Sequence, residues 1–187
     1  MSDVSSVPAI PVFCRPADCA EMASRPVLTM AALDRKLRAV EVQGIDDAAL
    51  DLAADLVDTM RASPACVGIA APQIGVALRA FALDVAGHKK TTVCHGELVV
   101  FNPVIVVAES SATEREGCMS VPDLTGDVAR AFAVTVEGLD LRGEPLRIES
   151  EGFEARALQH EIDHLDGLLF LDRLAGPGAL HNRRVYR

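Results

Sequence analysis

The sequence predicts an α+β fold with antiparallel strands, on three observations. Apolar positions recur every four residues in an early segment, short β-branched runs divided by turn signals fill the middle, and a second helix-length segment lies near the end. At 187 residues, half of them apolar, the chain is long enough for one domain with a substantial core.

Residues 1–30, rich in Ser, Pro and Ala and without periodicity, are read as a leader, partly disordered or draped on the domain. Residues 31–187 form the single domain. The first helix opens at Asp46, carries Leu52, Leu56 and Met60 on one face, and stops before Pro64. "CVGIAAPQIGVALRAFALDV" reads as a Gly/Ala/Pro loop feeding a strand that ends near Val85, and "HKKTTVCHGE" as a connection. "LVVFNPVIVV" supplies β-branched runs broken at Asn102-Pro103. "FAVTVEGLDLRGEPLRIES" alternates at Val134 and Val136, then turns at Arg142-Gly143 into another strand. A second helix is expected from about Gly152 to Asp166, with Gly167 as its C-terminal cap, and the Gly-Pro-Gly of the tail excludes helix there.

The formal net charge of −9 argues against a phosphate-backbone footprint, so no direct nucleic-acid partner is expected. No apolar run is long enough to span a bilayer, and the N-terminus lacks the basic start and apolar core of a signal peptide, so no membrane partner is expected. Five irregularly spaced cysteines without a CxxC pair fit a reducing cytoplasm. Cys14, Cys19, Cys66 and Cys94 are read as apolar core residues.

The chemistry concentrates in "QHEIDHLDG". His160 and His164 stand at i and i+4 on one helical face with Glu161 beside them, the H-E-x-x-H spacing of a metal-dependent hydrolase. A five-residue pattern also arises by chance on a polar helix. The metzincin pattern is followed as far as Gly167, but its third histidine would fall on Phe170, and no Glu follows Glu161 to serve as a downstream ligand. Asp166, Asp172 and His181 remain as weak candidates. Upstream, Cys118 in the polar loop "TEREGCMSVPDL" offers a thiolate beside Gly117 and Glu116; with two imidazoles it makes a three-ligand site with an open fourth position.

Three stretches in order, "CVGIAAPQ" (66–73), "EGCMS" (116–120) and "QHEIDHLDG" (159–167), resemble the peptide deformylase family over roughly residues 25–174. The resemblance implies antiparallel strands packed around a central C-terminal helix carrying HEIDH, and removal of the N-formyl group from N-formylmethionyl nascent peptides. It implies Cys118, His160 and His164 as metal ligands and Glu161 as general base. The Gln73 side-chain amide and the Met119 backbone N–H become the oxyanion donors. Val67, Phe153 and Ala157, with His160, are implied around the methionine side chain; Gly68, Ile69, Glu116 and Gly117 are implied along the peptide, and Gln159 and Asp163 behind the ligands.

The implied cofactor is one divalent ion, Fe2+ physiologically, with Zn2+, Ni2+ or Co2+ possible after purification. A cytoplasmic monomer is expected, its ribosome contact reduced to a faint echo in Arg183, Arg184 and Arg187. Two departures stand out. Cys66 replaces the usual first glycine of its motif, which would strain the loop if that position required positive φ, and Thr125 stands where many relatives carry an arginine that contacts the peptide. The rival readings are a deformylase-like paralogue that binds formyl peptides or inhibitors with little turnover, and a different H-E-x-x-H zinc hydrolase.

Overall fold

Asp46 starts the first helix: its carboxylate accepts from the Ala49 backbone N–H at 2.9 Å, satisfying a donor that the helix leaves free. That helix, α1 (Asp47–Ala62), buries Leu52, Leu56 and Met60 as the four-residue spacing predicts. The computed structural model describes residues 24–33 and 38–183; Cys14, Cys19, Arg184, Arg187 and most of the expected leader lie outside them. The described part of that leader runs against the domain: the backbone N–H groups of Leu28 and Met30 donate to Gln73 O and Ser120 O at 2.7 and 2.8 Å.

Eight strands follow: β1 (Gly68–Ala70), β2 (Ala80–Leu83), β3 (Leu98–Glu109), β4 (Ala112–Cys118), β5 (Val121–Arg130), β6 (Ala133–Leu139), β7 (Pro145–Glu151) and β8 (Leu180–Asn182), with α2 (Gly152–Leu165) between the last two. All pairings between these strands are antiparallel among the described residues. A five-stranded sheet runs β1-β2-β3-β6-β7 and a three-stranded sheet β4-β5-β8.

The larger sheet is covered on both faces. Ala80, Ala82 and Phe101 pack with Leu52, Leu56 and Val57 of α1, whereas Phe81, Leu83 and Val100 pack with Leu158, Ile162 and Leu165 of α2. The alternation within β2 explains its continuous burial. Helix α2 is buried on nearly all sides, its polar residues included, because one face packs on this sheet and the other bonds to β4 and β5 of the smaller one through His164, Asp163 and Arg156. Truncating Leu158, fully buried, would cost roughly 2–5 kcal/mol.

Several local expectations change. The break at Asn102-Pro103 is a bulge inside one strand: Asn102 takes φ 49°, and its side chain bridges both backbone groups of Val42 at 2.8 Å. The stretch read as a Gly/Ala/Pro loop contains β1, which pairs with β2 despite its small residues, followed by a 3-10 turn over Ala71–Ile74. The stretch read as a polar loop around Cys118 is the β4–β5 hairpin, its polar residues facing solvent or a buried ion network. Gly167 adopts φ 75°, the left-handed conformation of a helix C-terminal glycine.

Candidate metal centre and active site

Helix α2 places His160 and His164 one turn apart, and β4 delivers Cys118 to the same point at its end, where the ladder shifts register between Gly117 and Cys118. The three donor atoms lie within 4.8 Å of one another. Cys118 Sγ stands 3.2 Å from His164 Nε2, close to the roughly 3.5 Å between sulfur and nitrogen ligands of a tetrahedral site. His160 Nδ1 faces Glu116 Oε2 at 2.9 Å, which leaves Nε2 for the cluster. Burial opposes ionisation of the Cys118 thiol, but the facing imidazoles of His164 and His160 hold it well below the ordinary thiol range, in the form that binds metal. This donor set fits a divalent cation with an open coordination position. Asp166 is instead paired with Arg79 at 2.7 Å, Asp172 accepts from Leu169 N–H, and His181 meets Asp127 at 2.8 Å, so none of the three weaker candidates joins the cluster.

Behind His160 lies a network that the sequence did not disclose. Arg130 donates to Glu116 at 2.6 Å and to Asp163 at 2.7 Å, and Arg156 donates to Glu116 at 2.7 Å; all four side chains are buried. Burial alone would raise the Glu116 carboxyl, but the bonds from His160 and Arg130 outweigh it and hold the group at about 2. Asp163 also takes a bond from Arg173. Gln159 touches no ligand; it clasps the Ala131 backbone through both amide atoms.

A cavity of about 460 Å³ opens on the cluster. Val67, Gly68, Gln73, Glu116, Gly117, Cys118, Met119, Phe153, Ala157, His160 and Glu161 all line it. Ile69 does not: its side chain is buried against α1, and only its backbone, on edge strand β1, is positioned to meet a peptide. Glu116 reaches the cavity wall, yet both its oxygens are committed to arginines and His160, so its geometry suits orienting a ligand rather than gripping a peptide.

Glu161 is buried, and burial pushes its carboxyl up to about 7, with His160 and His164 restraining the rise. Its Oε2 is buried without a hydrogen-bond partner, and Oε1 rests against Gly68. Gln73 Oε1 accepts from the Ala70 N–H at 2.9 Å, which fixes the amide so that Nε2 points to Ser120 Oγ and Cys118 Sγ at 3.1 and 3.6 Å. A buried carboxylate with a free oxygen, an oriented amide donor and a three-donor cluster thus face one cavity, an arrangement suited to attack of water on a carbonyl.

The sequence profile of the family described as polypeptide deformylase matches residues 25–179. The chain belongs to that family. A peptide deformylase of Pelotomaculum thermopropionicum is 45% identical over 138 residues, 74% of this chain and 83% of that protein. Among solved structures, a peptide deformylase from Legionella pneumophila superposes with a TM-score of 0.72 at 43% identity, covering 83% of this chain and 88% of that one. A Met-Ala-Ser-bound class I type b peptide deformylase from Acinetobacter baumannii gives 0.73 at 32% identity, covering 82% and 100%. Deformylases are metal-dependent hydrolases that act on formylated peptides, and the α+β fold with strands around a central helix is theirs. No helix among the described residues is long and apolar enough to cross a membrane.

The departures noted in the deformylase motifs read differently in three dimensions. Positive φ falls on Ala65 (57°), not on Cys66, so the cysteine causes no backbone strain of that kind. The Cys66 thiol donates to Gly68 O at 3.1 Å, and burial pushes it up to about 12, aided by the Glu161 charge. Cys94 is half-buried against the core. Nothing local in the sequence marks Arg130 for burial, which follows from tertiary packing alone.

Proposed function

We propose that this chain removes the N-formyl group from the N-formylmethionyl end of nascent peptides, giving formate and a free amine. Cys118, His160 and His164 hold the ion, and the physiological ion is Fe2+; Zn2+, Ni2+ and Co2+ also suit the donor set. The observation that carries the reading is the buried, unpartnered Oε2 of Glu161 facing a Cys/His/His cluster across one cavity.

A divalent ion held by Cys118, His160 and His164 would supply Lewis-acid chemistry and lower the pKa of the attacking water. Glu161 takes that water's proton and returns it to the departing amine as the formyl C–N bond breaks and the new C–O bond forms. The Gln73 Nε2 group and the Met119 N–H donate to the oxyanion that develops on the formyl oxygen. The backbone of Gly68 and Ile69, on the open edge of the five-stranded sheet, pairs with the peptide as an added strand, with Gly117 across the cavity. Val67, Phe153 and Ala157, with the His160 ring, receive the methionine side chain. Glu116 holds His160 in its tautomer. The protein acts as a cytoplasmic monomer, with only weak ribosome contact.

The test is formate release from formyl-Met-Ala-Ser by anaerobically purified protein loaded with Fe2+ or Zn2+. Glu161→Gln should reduce turnover by about 10²–10⁴-fold, and the Fe2+ form should be the faster. Folded, metal-loaded protein without turnover would leave a formyl-peptide-binding paralogue as the better reading.

A further inference from the structure

Arg183 follows β8, and the pairing of that strand with β5, Thr125 opposite His181, brings it to the cavity. Its backbone N–H donates to Asp123 O at 2.8 Å and its Nη2 donates to Cys118 O at 3.1 Å. The guanidinium lies over Gly117, where a Cβ would meet Nη2 at 2.6 Å and Cζ at 3.3 Å, so the glycine leaves room for the arginine. Nε is buried without a hydrogen-bond partner. Of the four other Lys and Arg side chains of the cavity wall, Lys90 pairs with Glu114, Arg115 with Asp127 and Arg156 with Glu116, while Lys89 lies on the connection between β2 and β3, away from the Cys118 carbonyl that Arg183 touches. Among the described residues Arg183 has none, and its one side-chain bond is to a neutral carbonyl.

We propose that Arg183 is a substrate-specificity residue that binds a carboxylate on the peptide segment following the formylated methionine. An unpaired guanidinium in a partly enclosed wall favours a carboxylate above other peptide groups, because it presents several donors to two acceptor oxygens. A peptide advances about 3.3 Å per residue, so a side chain touching the Cys118 carbonyl is within reach of the first few residues of a peptide whose formyl group lies at the Cys118 thiolate. In a chain of net charge −9, a local cation is needed to favour an anionic peptide there. The carboxylate comes either from the end of a short peptide or from an Asp or Glu side chain. The inference rests on the deformylase reading for its substrate.

The experiment compares formyl-Met-Ala-Ser with its C-terminal amide, and formyl-Met-Glu-Ser amide with formyl-Met-Gln-Ser amide, for the wild type, Arg183→Ala and Arg183→Lys. In parallel, calorimetry measures binding of the product Met-Ala-Ser and of its amide. The wild type should favour one or both carboxylate peptides by about tenfold in kcat/KM, through KM. Arg183→Ala should bring that ratio close to one, and Arg183→Lys should keep part of it. Preference in the first pair alone assigns the chain end, in the second alone the side chain. A wild type without preference, or an Arg183→Ala variant that slows acid and amide alike, would overturn the proposal and leave Arg183 as a brace for the Cys118 loop. If no peptide is turned over, the deformylase reading fails, while the calorimetric ratio still decides the role of Arg183.

Discussion

The Glu161 carboxylate rests on the bare α-carbon of Gly68: a methyl group there would stand 2.6 Å from Oε1 and 2.9 Å from Cδ. Strand β1 and helix α2 approach so closely that only glycine lets the carboxylate occupy its place. Gly68→Ala must push the carboxylate aside or spread the two elements. Displacing a reacting group by about 1 Å costs on the order of 10²-fold, and that loss is expected in kcat. Metal content, measured by atomic absorption, should stay at one ion per chain, since no ligand moves directly. Undiminished kcat would show that Glu161 does not act from this position.

Glu116 is the hub beneath His160, and its removal should be read at the metal. With Glu116→Gln, His160 Nδ1 loses its ionised acceptor while Arg130 and Arg156 lose a shared counter-charge. Affinity for Zn2+ or Co2+, measured by chelator competition, should fall about 10- to 100-fold. Circular dichroism on the same samples separates this from unfolding, a necessary control because breaking a buried ion network costs about 3–5 kcal/mol. Unchanged affinity in a folded variant would confine Glu116 to a purely structural role.

The backbone cost falls just before the first motif, on Ala65, whose φ of 57° lies in the left-handed region that disfavours a Cβ. Ala65→Gly should therefore stabilise the protein by about 1 kcal/mol, raising Tm by about 2–4 °C in a domain of this size. Cys66→Gly should bring no such gain, because Cys66 is outside that region and loses its bond to Gly68 O. Thermal melts of the two variants check the pair.

What was legible in the sequence follows from range. The α1 cap, the turn at Gly143 and the α2 terminus at Gly167 are set by residues within a few positions, so pattern and turn chemistry reveal them, whereas the break read at Asn102-Pro103 is a bulge whose bonds to Val42 join residues far apart in the chain. The three motifs likewise carry short-range signals, and the structure brings their residues to one cavity. Strand β1 carries little local signal, because only Ile69 in Gly-Ile-Ala favours a strand and the element exists through its pairing with β2. The Glu116–Arg130–Arg156–Asp163 network is invisible in the sequence because it joins β4, β5 and α2, and charged residues look solvated until packing removes the solvent. Arg183 stands in a basic tail; its place at the cavity depends on a three-residue strand after a Gly-Pro-Gly segment.

Away from the cavity, His95 and Glu154 form a pair whose contribution depends on pH. Glu154 Oε2 meets His95 Nδ1 at 2.9 Å and takes the Ser150 hydroxyl at 2.7 Å, while Oε1 accepts the His95 backbone N–H at 2.8 Å. The hydrogen bond to Glu154 raises the His95 imidazole above its ordinary 6.5, and Glu109, Glu151 and Glu149, the last paired with Arg147, line the same surface hollow. Burial would raise Glu154 above 4.5, but the bonds from His95 and Ser150 prevail and hold it lower. Stability from His95 is then fully present below about pH 6.5 and lost as pH rises through the raised folded value. Stability from Glu154 is fully present above about pH 4.5 and lost as pH falls through the lowered one. The pair contributes most between those limits. Replacing His95 by Asn should lower Tm most near pH 5.5, by about 2–8 °C for a charged hydrogen bond worth roughly 1–2 kcal/mol, and the difference should shrink as pH rises through the raised His95 value. A Tm difference independent of pH would mean that His95 acts through its neutral contacts alone.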